Sequence, residues 1–205
     1  MTVRGAIVGV ADHVNTAVVV TVGPDGALLD RRSIPLTGAG VPTHPHHHEG
    51  SWAVGRYLRT PGARTMPLAE AVALVRRVRA EAGRGAVRGL DALAASLPVP
   101  IAGIAIRACP VLPAAIEARI RDNRAQTVAD SVMYREALAA AAEARGWHVH
   151  WYDPQSARRG AEALLGPQDL DTVLRAMGRA AGPPWQARHK LAATAALAAR
   201  HGAVV

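Results

Sequence analysis

Two stretches of the 205-residue chain are dense enough in donor side chains to suggest chemistry. One is His44-Pro45-His46-His47-His48-Glu49-Gly50, whose imidazoles suit zinc, copper, iron or nickel, with Glu49 as a further oxygen ligand or a general base. The other is Asp12-His13, directly after the apolar run Ala6 to Val10. A carboxylate at the end of such a run sits where open α/β sheets collect their ligands. The blander readings stand beside these. Adjacent histidines on an irregular loop seldom all reach one ion, and this spacing matches no helical metal motif, so the loop can equally be solvated or touch phosphate. Asp12 can simply begin a turn with Asn15.

The elements that must position these groups follow from periodicity. Ala6 to Val10, inside the segment Arg4 to His13, reads as a strand buried on both faces. Thr16 to Val22 gives a second strand, Gly23-Pro24-Asp25-Gly26 a turn, and Ala27 to Leu36 a third strand at a sheet edge, the place where Pro35 is tolerated. Residues 37–64 form a long Gly-, Pro- and His-rich loop, a kind that is uncommon unless functional. From Pro67 to Leu97 apolar residues fall at helical spacing, although Gly83, Gly85 and Gly89 leave one helix or two. Ile101 to Cys109 is a second buried strand and a natural parallel neighbour of the first. Arg107 at its end must be paired or face a site.

A helical stretch then runs from Pro113 to Arg145. Its polar middle, including Asp122, Arg124, Gln126, Asp130, Tyr134 and Arg135, reads as a solvated face or as one that meets something polar. Trp147 to Tyr152 alternates as a fifth strand, Ala157 to Leu165 and Asp169 to Arg179 are short helical runs split by Gly166-Pro167, and Trp185 to His201 is an alanine-rich last helix without a single acid. One α/β domain spanning 1–205 is expected, with a five-stranded mixed sheet flanked by helices.

Composition narrows the partners. The net charge of +8 invites a nucleic-acid reading, but all but one of the 24 basic residues are arginine, a bias that coding composition explains as easily as function, and no basic tail stands out. No membrane-length apolar run and no signal-peptide layout is present, so a cytoplasmic protein is expected. A lone Cys109 forms neither an internal disulfide nor a cysteine-rich zinc site.

The order of elements is that of a ribonuclease H-like fold, and within it the chain resembles bacterial RuvC-type Holliday-junction resolvases. Ile104-Ala105-Ile106-Arg107 resembles that family's fourth strand, Trp147-His148-Val149-His150-Trp151-Tyr152 its fifth, and Ala192 to His201 its alanine-rich last helix. The resemblance implies four carboxylates holding two divalent ions. Carried over by position, the first carboxylate has a counterpart in Asp12, displaced by one residue because Ala11 intervenes. The fourth-strand glutamate falls on Arg107. The two carboxylates of the last helix fall in His189 to Thr194, where His189 is the one candidate ligand.

Two ions at close range need several anionic ligands, so the expected function is a nucleic-acid-binding protein with a RuvC-like fold and a degenerate active site. Arg107, Arg124 and His13 would touch phosphate, and DNA is preferred over RNA. The alternative is a metal-dependent nuclease or phosphodiesterase with a rebuilt site: Asp12 and Glu49 catalytic, and Asp12, His46, His48 and His189 around Mg²⁺, Mn²⁺ or Zn²⁺. No organic cofactor is indicated. A second alternative is a non-catalytic homodimeric interaction protein.

Overall fold

The computed structural model describes residues 5–166 and 169–200, so the expectations at Arg4, Pro167 and His201 lie outside the described residues. Among the described residues five strands form one sheet: β1 (Ala6–His13), β2 (Thr16–Val22), β3 (Leu28–Pro35), β4 (Ile101–Arg107) and β5 (His148–Tyr152). Their order is β3-β2-β1-β4-β5, with β1 antiparallel to β2, β2 antiparallel to β3, and β1, β4 and β5 mutually parallel. This is the expected meander followed by two parallel strands. The strand boundaries lie within a few residues of those the alternation predicts. β1 is central because Ala6 to Ala11 are apolar on both faces, which only a strand covered on both sides can use.

Among the described residues seven helices flank the sheet: α1 (Glu49–Ala53), α2 (Leu68–Ser96), α3 (Ile116–Arg121), α4 (Asn123–Glu143), α5 (Pro154–Leu165), α6 (Leu170–Ala181) and α7 (Ala187–Ala199). Strand periodicity divides β1 between two cores. Ala6, Val8 and Val10 join the core under α2 and α4, while Ile7 and Ala11 join the core under α5, α6 and α7. α7 lies against β1 so closely that a Cβ on Gly9 would stand 1.8 Å from the carbonyl oxygen of Ala192. The buried alanines of α7, Ala192, Ala193, Ala195, Ala196, Ala198 and Ala199, are therefore a packing requirement.

Of the two readings left open for 67–97, the structure has one helix, α2, and two of its glycines make close contacts: a Cβ at Gly85 would meet the Leu36 carbonyl at 2.1 Å, and one at Gly89 would meet Ile34 Cγ2 at 2.1 Å. Two expectations need correction. The stretch 113–145 is two helices, because extended Asp122 breaks it and its side chain accepts from the Ala125 amide to cap α4. The loop 37–64 contains a short helix, α1, and is tied to the body throughout.

Candidate nucleic-acid interface

Of the expected site residues, Asp12, His13 and Arg107 lie at the carboxyl end of β1 and β4. Asp12, third in line after Val8 and Val10, shares their face and turns toward α4. There its Oδ2 accepts from the guanidinium of Arg135 at 2.8 Å, and Arg135 also donates to the Ala108 carbonyl at 3.2 Å. The pair is nearly sealed, with side-chain exposures of 9% for Arg135 and 15% for Asp12. Ala11, one residue earlier, takes the opposite face and is buried beside α7. Since Gly9 pairs with Ala105, Arg107 follows Ala105 as Ala11 follows Gly9, and it too shares the α7 side. Arg107 is exposed, as are His13 and Arg124, the last in the first turn of α4. Tyr152 closes the floor, its hydroxyl donating to the Val10 carbonyl at 2.6 Å and its pKa driven upward by burial, reinforced by Asp12.

His189 lies on the α7 side, opposite Asp12. Its Nδ1 accepts from the Gln186 amide at 3.0 Å as half of a capping box, its ring stacks on Trp185, and burial, aided by Arg31, pushes its pKa down. Arg31 itself holds the connection before α7, donating to the carbonyls of Ala181 and Pro183 at 3.2 Å and to that of Pro184.

The histidine loop is organised by a different carboxylate. Asp130 of α4 accepts from the His46 amide (3.0 Å), His46 Nδ1 (2.8 Å) and the His47 amide (3.0 Å). Gln126 accepts from Ser51 Oγ at 2.8 Å and from Arg56 at 3.1 Å, and Tyr134 donates to the Thr43 carbonyl at 2.9 Å. These side chains overturn the reading of a merely solvated face on α4: Gln126, Asp130 and Tyr134 are buried under the loop. Their spacing of four residues places them on one helix face, which is the sequence signal that could have found them.

His46 is 1% exposed and its Nε2 has no partner, while His48 is exposed at the start of α1. Glu49 faces a cavity of about 510 Å³ that it shares with Glu70, Arg64 and Arg77, and burial raises its pKa. The expected ligand set of Asp12, His46, His48 and His189 therefore does not assemble, with His189 across the sheet and His46 engaged by Asp130. Among the described residues no group of three or more His, Cys, Asp or Glu side chains is placed to hold a metal ion. The donors at the end of β1 and β4 do not fit a divalent ion either, because the acid there is neutralised by Arg135 and the exposed charge is Arg107.

Among solved structures, the chain is similar to Thermus thermophilus RuvC in complex with a Holliday junction substrate, with 14% identity, coverage of 97% of each chain and a TM-score of 0.52. The fold is that of RuvC. A further structure of Thermus thermophilus RuvC, covering 97% of this chain and 98% of that one, has 14% identity and a TM-score of 0.50. No protein-family model and no curated protein matches the sequence. On the RuvC frame the expectation of a five-stranded mixed sheet with flanking helices holds, and among the described residues no helix is long and apolar enough to cross a membrane.

Proposed function

We propose that this protein binds nucleic acid, DNA in preference to RNA, through the carboxyl end of a RuvC-type sheet whose metal-holding carboxylates are absent. One observation carries the reading. On the α7 side, the positions where the resemblance calls for acids hold Ala11 and the exposed Arg107, and α7 contributes no acid from Ala187 to Ala199. A guanidinium there repels a divalent cation and forms charge-assisted hydrogen bonds to phosphate. His13, the last residue of β1, adds an exposed donor at the same end, and Arg124 is a further exposed cation in the first turn of α4. Asp12 belongs to the scaffold, where it neutralises Arg135 on the α4 side of the sheet.

Branched DNA is the first probe, because the Thermus thermophilus RuvC structure of this fold contains a Holliday junction substrate. The test is a mobility-shift and cleavage assay on single-stranded, duplex and four-way DNA and on RNA, with and without Mg²⁺, Mn²⁺ or Zn²⁺. Binding without cleavage is expected, with affinity falling steeply as salt rises. Arg107→Ala should weaken every complex and reduce the slope of log affinity against log salt by about 1. Metal-dependent cleavage that Asp12→Asn abolishes would overturn this reading in favour of a rebuilt hydrolytic centre.

A further inference from the structure

The histidine loop encloses a cavity of about 250 Å³ walled by His47, His48, Trp52, Tyr57, Thr60 and Pro61. We propose that this cavity takes a single unstacked base of a bound strand; the proposal rests on the nucleic-acid reading above. Four of its six lining residues carry aromatic rings. The rings of His47 and Tyr57 stand 5.8 Å apart and tilted, and those of His47 and His48 stand 5.4 Å apart. At this volume it is smaller than the about 300–1,000 Å³ of pockets for drug-sized ligands, so one flat heteroaromatic ring suits it and a bulky ligand does not. No carboxylate and no guanidinium lines it, and its apolar and aromatic members Trp52, Tyr57 and Pro61 offer stacking as a source of affinity. Every base offers a π-face, and stacking on aromatic side chains is tolerant of sequence.

Two features show that the walls are built rather than incidental. Tyr57 is half exposed and has φ of +55°, a left-handed conformation that is costly for a bulky residue and that clusters at binding sites. Its carbonyl accepts from the Thr60 amide at 3.1 Å and Thr60 Oγ1 at 2.7 Å, which fixes the turn. The segment is also bolted to its neighbours. Arg56 donates to the carbonyls of Ile120 (3.2 Å) and Arg121 (2.6 Å), and Asp130 holds the amides of His46 and His47. A pocket ordered in advance does not lose that ordering entropy on binding. The net charge of +8 draws the phosphates of the strand toward the molecule, and Arg59 is exposed within the same segment.

The test uses the full chain, a single-stranded oligonucleotide carrying one 5-iodouracil, the same oligonucleotide with an abasic position, and free 5-iodouridine. Irradiation followed by peptide mapping locates the base, and titration gives affinity. The expected result is cross-linking within residues 47–61, weaker binding of the abasic strand, and a loss of about 5- to 100-fold in affinity for Tyr57→Ala. Tyr57→Phe should keep both cross-link and affinity, since the ring rather than the hydroxyl does the stacking. Binding with cross-links elsewhere, and Tyr57→Ala equal to wild type, would overturn the pocket and leave the nucleic-acid reading standing. Cross-linking of free 5-iodouridine in this segment without oligonucleotide binding would support the pocket and overturn that reading. Absence of both would overturn the two together.

Discussion

Asp12 and Arg135 show how far a single-residue displacement can carry a functional group. Strand side chains alternate faces, so an acid one position past Ala11 emerges on the α4 side, where its charge meets a guanidinium rather than α7. The pair is close to buried, and removal of one partner leaves the other charged and poorly solvated. Asp12→Asn is therefore expected to destabilise the fold by about 3 kcal/mol, read from the midpoint of urea denaturation, with DNA affinity per folded molecule unchanged. The double variant Asp12→Asn with Arg135→Met should recover most of that loss. The sequence singled out Asp12 as a site candidate from its place at the end of an apolar strand; in the structure it pairs with Arg135. Its partner was not legible, because nothing local in Tyr134-Arg135-Glu136 tells which arginine of α4 reaches across to β1. The opposed faces of Ala11 and Asp12, by contrast, follow from strand alternation alone.

At the scale of elements, α4 does the organising that the histidine run seemed to promise. Gln126, Asp130 and Tyr134 grip the loop from one helix face, and the capping Asp122 sets where that helix begins. Asp130 accepts three hydrogen bonds, two from backbone amides. Asp130→Ala should strip those amides of their partner and release the loop at a cost of about 1.5–3 kcal/mol for a charged hydrogen bond. Hydrogen exchange is the check: the His46 and His47 amides should lose protection by at least ten-fold while those of β1 and β4 keep theirs. Strands were readable because alternation and apolar runs are local. The close contacts of the α2 glycines were not, since they answer to distant residues, Leu36 and Ile34; the Asp122 cap, by contrast, is a local contact with the Ala125 amide. The histidines drew attention as ligands, whereas burial and a neighbouring aspartate make His46 a structural post.

For the whole molecule, the histidines set a response to acid. His44, His150 and His189 lie on the loop, on β5 and on α7, and burial pushes each pKa down, helped by His48 and His47 at His44, by His148 at His150 and by Arg31 at His189. Their unfolded counterparts protonate near about pH 6.5, so the unfolded chain binds protons first as the pH falls. Stability from these groups is complete above that value and is lost as pH drops toward the lowered folded-state values. Glu49, raised by burial, opposes the trend closer to the carboxylate range, where its folded form takes up a proton more readily. The urea midpoint should thus be lower at pH 5.5 than at pH 7.5, and His150→Gln should narrow the gap. The architecture also bears on self-association. β3 is an outer strand whose Asp30 and Arg32 pair along it at 2.7 Å, whose Arg31 is committed to the carbonyls before α7, and which ends at Pro35. A border strand charged and finished in this way is a poor template for another chain's backbone, so growth of the sheet into fibrils is blocked on that side.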